Sequence, residues 1–152
     1  MDFVIRKIVK SDFDITSKII KSFYQEFINY KKINSEKIKK TFFEFSEHPE
    51  KGCIYIFEYD REIIGYSILV CYWSNEYSGN IIFIDEFYIT PPNRNKKFGT
   101  NFLNYLIENK IYNLVAMQAE VSFSNTIAKT FFKNFRFKNS KGLSLFYEIE
   151  FK

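Results

Sequence analysis

The sequence predicts a layered α/β (α+β) fold, a mixed sheet flanked by helices in the order βααβββαβαβ. Three observations predict it. Runs of apolar residues at strand spacing take turns with runs at helical spacing. The stretch from Ile81 to Ile89 is apolar on both faces, as a strand covered by helices on both sides must be. Helical stretches separate the later strands, which requires layers rather than a bundle or a sandwich.

The elements follow in chain order. Phe3 to Val9 alternates and reads as the first strand. Ser11 offers an N-cap with Asp14 three residues on, and Ile15, Ile19, Ile20, Phe23 and Phe27 continue a helix to about Asn29. Ser35 or Asn34 caps a second helix bearing Ile38, Phe42 and Phe45, which His48-Pro49 ends because the residue before proline disfavours helical dihedrals. Cys53–Phe57 and Ile63–Trp73, joined by the polar turn Tyr59–Glu62, form a hairpin. After a turn containing Gly79, the central strand Ile81–Ile89 should present Ile82, Ile84, Glu86 and Tyr88 on one face and Phe83, Asp85, Phe87 and Ile89 on the other. Pro91-Pro92 stops it. The next helix turns Phe98, Phe102, Leu103 and Leu106 inward, Leu114–Ala119 is a short strand, and Ser122 or Ser124 starts a helix with Ile127, Ala128, Phe131 and Phe132 apolar. A short extra strand is expected at 135–137, and Leu143–Phe151 is the last.

With 152 residues, 46% of them apolar, the chain is long enough for one well-filled domain spanning 1–152. The abundance of Phe, Tyr, Ile, Lys and Asn fits an AT-rich genome, so the 19 Phe are not read as a stacking surface. A net charge of +4 suits a small anionic ligand and falls short of a nucleic-acid footprint, which needs a one-sided basic patch. Cys53 and Cys71 lie inside strand-like runs without metal spacing and read as buried reduced thiols; no metal is expected. His48 reads as a surface histidine. No run approaches the ~20 apolar residues of a membrane span and no leader is visible, so the expected location is the cytoplasm.

Function is concentrated between Phe83 and Leu103: a strand with two embedded carboxylates, a basic loop, and a helix start with Gly99. Free backbone N–H groups and the positive end of the helix dipole make such a start a phosphate site.

Two motifs carry a resemblance. Arg94-Asn95-Lys96-Lys97-Phe98-Gly99 is similar to Arg/Gln-x-x-Gly-x-Gly/Ala, with Lys97 in place of the first glycine. About 30 residues on, Asn125-Thr126-Ile127-Ala128-Lys129-Thr130-Phe131-Phe132, followed by Arg136-Phe137, is similar to Asn-x-x-Ala-x-x-Phe-Tyr followed by Gly-Phe. Both are signatures of the GCN5-related N-acetyltransferase (GNAT) superfamily, and with the order of elements they cover essentially the whole chain. Tyr72-Trp73-Ser74 and Ile84–Ile89 are also weakly similar to the polyamine-type members.

The resemblance implies an N-acetyltransferase that moves acetyl from acetyl-CoA directly to a primary amine, small or polyamine-like, or to a protein N-terminus or lysine. A non-catalytic acyl-CoA-binding or interaction module is the alternative. Arg94, Asn95, Lys96, Lys97, Phe98, Gly99 and Thr100 would cradle the pyrophosphate, with glycine favoured where backbone nears phosphate. Phe87, Tyr88 and Ile89 would pair with the pantetheine arm on a splayed strand edge, and the N–H near Phe87 would polarise the thioester carbonyl. Asn125 would touch the pantetheine or diphosphate.

Neighbours on a strand point to opposite faces, so Asp85 and Glu86 should divide the work. Glu86 is the candidate general base or amine anchor, since an amine of pKa ~10 must lose a proton before it attacks. Asp85, Tyr72 and Trp73 are candidate substrate contacts, aromatic walls beside carboxylates suiting a cation. Phe132 stands where the family's tyrosine protonates the departing thiolate; it would pack near the CoA sulfur, and Tyr88, Tyr105 or Tyr147 could supply the hydroxyl. A thiol of pKa ~8.5 is a tolerable leaving group without that help. Family members are often dimers, so a homodimer is a further expectation.

Overall fold

The computed structural model describes residues 2–28, 31–139 and 146–150. In chain order these form β1 (Phe3–Lys7), α1 (Phe13–Phe27), α2 (Ser35–Glu47), β2 (Gly52–Tyr59), β3 (Glu62–Ser74), β4 (Gly79–Ile89), α3 (Phe98–Glu108), β5 (Leu114–Glu120), α4 (Thr126–Asn134), β6 (Lys138–Asn139) and β7 (Phe146–Glu150). One seven-stranded sheet runs β1-β2-β3-β4-β5-β7-β6 among the described residues. Its pairs are antiparallel except β4–β5, which α3 connects as a parallel crossover. The order expected from the sequence is thus present, with the extra strand at 138–139 rather than 135–137. The proposed final strand begins at Leu143, outside the described residues; β7 is described from Phe146.

Two cores hold the layers. On one face, Ile19 and Ile20 of α1 and Ile38 of α2 pack on Ile54, Tyr66, Ile68 and Tyr88. On the other, Phe98, Phe102, Leu103 and Leu106 of α3 pack on Tyr55, Phe57, Leu69, Ile82 and Ile84. Phe102 has no exposed surface, and burying such a ring is worth about 1.5–3 kcal/mol. The β2–β3 hairpin closes on Asp60 and Arg61 at φ 52° and 69°, the left-handed pair that a two-residue turn demands.

The caps differ from expectation in two places. Asp12, not Ser11, stands at the start of α1, and its carboxylate turns back to accept from Val9 N at 2.8 Å and from Arg6 at 2.7 Å rather than capping the helix. Asn125, not Ser122 or Ser124, caps α4, its Oδ1 accepting from Ala128 N at 3.0 Å. Asn34 caps α2 through Lys37 N at 2.9 Å. Ile15 and Ile127, members of the apolar helical stretches, are 50% and 62% exposed, while Thr16 and Ser17 are buried.

One irregularity changes the reading of the central strand. Ile68 pairs with Glu86 and Leu69 with Ile84, leaving Asp85 as an extra residue in β4. Ile82 and Ile84 belong to the α3-side core, but Tyr88 belongs to the α1-side core and Phe87 packs on Phe102 of α3. The bulge has therefore reversed the alternation, and the predicted face grouping of Ile82, Ile84, Glu86 and Tyr88 does not hold.

Candidate active site

The parallel ladder between β4 and β5 runs from Asn80↔Leu114 to Ile84↔Ala119 and stops. Beyond it β4 stays paired to β3 through Phe87↔Ser67, Tyr88↔Tyr66 and Ile89↔Gly65. The opposite edge of Glu86–Ile89 has no strand partner among the described residues. The expected splay is present and begins at the bulge.

The chain then turns at Pro91–Asn93 and enters α3 through a loop in which Asn95 and Lys97 hold φ of 63° and 62°. Lys97 precedes the helix without giving it a side-chain cap, and the first return bond is Asn101 N to Lys97 O at 2.9 Å. Amides at the start of α3 are thus left for an outside acceptor, and loops of alternating hand gather such amides into an anion-binding hollow. Lys97, where the motif has glycine, holds a left-handed conformation that glycine adopts without steric cost. Gly99 sits where packing is tight: a Cβ there would lie 3.1 Å from the rings of both Phe131 and Phe87.

Loop, β4, α3 and α4 enclose a cleft of about 640 Å³. Of the residues expected to hold the donor, Phe87, Tyr88, Ile89, Arg94, Asn95, Lys97, Phe98, Gly99, Thr100 and Asn125 line it. Lys96 and Phe132 do not. Lys96 Nζ turns back to Asn93 Oδ1 at 3.2 Å and lies 5.5 Å from the Tyr59 ring. Phe132 is buried in the α3-side core against Phe137 at 4.9 Å, because one helical residue rotates it away from the cleft face that Phe131 occupies. Phe131 stacks on Phe87 at 5.5 Å and walls the cleft.

Arg94 does not present a bare charge. Its guanidinium grips Glu26 of α1 through two bonds of 2.8 Å, its Nε donates to Ile89 O at 2.9 Å, and it lies 5.2 Å from the Tyr88 ring. The Tyr88 hydroxyl donates to Glu26 at 2.9 Å. Arg94, with Tyr88 assisting, holds the Glu26 carboxyl below its ordinary value, and burial pushes the Tyr88 hydroxyl up to about 12. This cluster ties α1 to the loop, so the hollow is shaped by backbone and braced by side chains.

Glu86 lies on the α1 side of the sheet, 8% exposed. Tyr24 donates to Oε1 at 2.7 Å, Tyr66 donates to Oε2 at 2.6 Å, and Ser67 donates to the main-chain oxygen at 2.9 Å. Burial raises the Glu86 carboxyl against the opposing pull of the two hydroxyls, and nearby Asp85 adds to the rise. Asp85, expected on the opposite face, lines a small hollow with Lys40, Thr41, Glu44 and Phe45 of α2. The bulge thus puts both carboxylates on the α1–α2 side. Asp85 is exposed by area, yet crowding by surrounding protein, followed by Glu120, pushes its carboxyl up while Lys31 opposes.

The remaining candidates separate. Trp73 is 67% exposed and pairs with Asn80, six residues from Glu86 along β4, or ~20 Å. Tyr72 donates to Gln118 of β5. Tyr105 packs on Tyr55 within the α3-side core and does not line the cleft, and the Tyr147 side chain lies outside the described residues. Tyr24, Tyr66 and Glu26 were not singled out from sequence; Tyr24 and Glu26 lie 62 and 68 positions from Glu86 and Arg94, with no motif linking them.

The profile of the Acetyltransferase (GNAT) family matches residues 17–137. The chain belongs to that family and is a GNAT acetyltransferase. Solved structures share the architecture: an N-acetyltransferase from Staphylococcus aureus Mu50 (18% identity, all of both chains, TM-score 0.77), a possible acetyltransferase from Clostridium difficile 630 (20%, 92% of this chain and 93% of that one, 0.77), and PaiA N-acetyltransferase from Thermoplasma acidophilum in complex with coenzyme A (15%, 99% and 100%, 0.77). At these identities the likeness is one of fold. No curated protein matches the chain. Among the described residues, no group of His, Cys, Asp or Glu could hold a metal ion and no helix is long and apolar enough to cross a membrane.

Proposed function

We propose that this chain, as one domain over 1–152, transfers acetyl from acetyl-CoA to a small primary amine by direct attack. One observation carries the reading: a hollow of unpaired helix-start amides opens onto a free strand edge, and a buried carboxylate, Glu86, sits where that edge begins. The hollow from Arg94 to Thr100 fits a diphosphate, and the 640 Å³ cleft leaves room for the arm that follows. The N–H groups of the Phe87–Ile89 edge suit the pantetheine and the thioester carbonyl. Asn125 adds a side-chain amide at the α4 start.

Glu86 takes the amine's proton. Asp85, with Glu120 near it, offers carboxylates that suit a cationic small amine or polyamine. The leaving sulfur departs as thiolate, since Phe132 carries no hydroxyl and is buried in the core. That same residue favours the second reading, an acyl-CoA-binding module without turnover. We also infer a cytoplasmic protein acting as a homodimer, on family habit; sedimentation tests the second point.

The deciding experiment mixes the protein, acetyl-CoA and a panel of mono-, di- and polyamines, and follows free thiol. Release with a cationic amine is expected. Calorimetric acetyl-CoA binding without thiol release from any amine would select the binding module.

A further inference from the structure

We propose that Tyr24 is the catalytic residue that connects Glu86 to the acceptor amine, receiving a proton from nitrogen as it passes its own to the carboxylate. The inference rests on the acetyltransferase reading above and names a residue that neither family signature contains.

Glu86 is closed on most sides. Oε2 carries the Tyr66 hydroxyl, and Tyr66 has no exposed surface. The main-chain oxygen carries the Ser67 hydroxyl. Neither Glu86 nor Tyr24 is among the residues that line the donor cleft, so the carboxylate reaches toward it only through its hydrogen-bond partners. Oε1 carries Tyr24 at 2.7 Å, and Tyr24 is half-buried, unlike Tyr66. The helix that bears it borders the donor: Phe23 and Phe27, on either side of Tyr24 in α1, both line the cleft. Tyr24 packs edge-on against Phe23 at 5.5 Å, which fixes its ring beside that wall. A hydroxyl bonded to the base, on a helix whose Phe23 and Phe27 wall the cleft, is the link from the carboxylate toward the donor.

The groups facing this carboxylate are Tyr24 of α1, Tyr66 of β3 and Asp85 of β4. Tyr88 and Glu26 bond to each other. Among these, Tyr24 alone joins Glu86 to a helix that walls the cleft.

The step balances. The N–H proton of the ammonium moves to Tyr24 Oη while the Tyr24 proton moves to Glu86 Oε1, and Tyr24 is regenerated. The freed nitrogen attacks the thioester carbonyl carbon; the N–C bond forms, the C–S bond breaks, and its electron pair leaves on sulfur as thiolate. The amide nitrogen's second proton goes to solvent, the thiolate takes one from solvent, and Glu86 returns its proton to solvent.

The test uses the full chain with acetyl-CoA and whichever amine of the panel turns over, in mixtures of H2O and D2O. Tyr24→Phe should lower kcat by about 100-fold and leave KM for acetyl-CoA within about 2-fold. The dependence of kcat on D2O fraction should be curved in the native protein, because two protons move, linear in Tyr24→Phe and still curved in Tyr66→Phe. As a second measurement that keeps fold and hydrogen bond, 3-fluorotyrosine at position 24 should keep the curved D2O dependence that Tyr24→Phe loses. Native turnover with Tyr24→Phe retaining kcat within about 3-fold, or a D2O dependence still curved in Tyr24→Phe, overturns the relay alone. Acetyl-CoA binding with no turnover of any amine by the native chain overturns the enzyme reading and the relay with it.

Discussion

The two sides of β4 reach polar function by opposite means. On the cleft side, the hollow from Arg94 to Thr100 is made of backbone: left-handed Asn95 and Lys97, an uncapped helix start, and a glycine that keeps two rings from being pushed apart. On the α1 side, Glu86 is held by three side chains from two segments, α1 and β3. A backbone site tolerates exchange of side chains provided the chain still adopts its shape, which is why lysine can stand where the family has glycine. A side-chain site loses its chemistry with one atom. The two glutamates show the same contrast. Arg94 lowers the Glu26 carboxyl, whereas burial raises Glu86.

The largest expected effect lies on the cleft side. Gly99→Glu should abolish measurable acetyl-CoA binding in calorimetry, through the 3.1 Å contacts with Phe131 and Phe87 and through repulsion of phosphate. Unchanged affinity would place the donor elsewhere. Next is Glu86→Gln, which should cut kcat by ~10²–10⁴-fold while acetyl-CoA affinity stays level. The same variant should match or exceed native stability at pH 7. A carboxyl raised in the folded state favours folding at low pH and loses that contribution as pH rises through its folded pKa, so the melting-temperature advantage of the variant should grow with pH.

Glu26→Gln is smaller and of opposite sign. Losing the paired contacts to Arg94 should cost about 1–2 kcal/mol in chemical denaturation at pH 7 and loosen the loop. A depressed carboxyl stabilises above its unfolded pKa and loses this as pH falls through the folded value, so the deficit should shrink in acid. A deficit constant with pH would remove the ion pair from the account. Smallest is Lys97→Gly, expected to raise stability by about 0.5–1 kcal/mol by relieving the left-handed lysine, with acetyl-CoA affinity kept. Destabilisation would mean that the lysine side chain matters more than its backbone.

Legibility in the sequence divided along the same line. The turn from Arg94 to Thr100 could be placed because a basic loop, a glycine and a helix start are neighbours in the chain, and six of its seven residues line the cleft. Phe132 was misplaced because a linear motif does not say which way a helix is rotated. Asp85 and Glu86 were assigned to opposite faces because alternation assumes a regular strand, and a bulge is visible only from the partner, here Ile68 and Leu69.

By itself, the sequence determined the layered α/β class, the order of its elements and the position of the helix start that follows β4, since periodicity, proline and glycine act over a few residues. Only the tertiary structure decided the bulge at Asp85, the burial of Glu86 beneath two tyrosines and the brace between Glu26 and Arg94. Those depend on which distant segments the sheet brings within hydrogen-bond distance, and hydrogen bonds are set by ångströms in space rather than by separation along the chain.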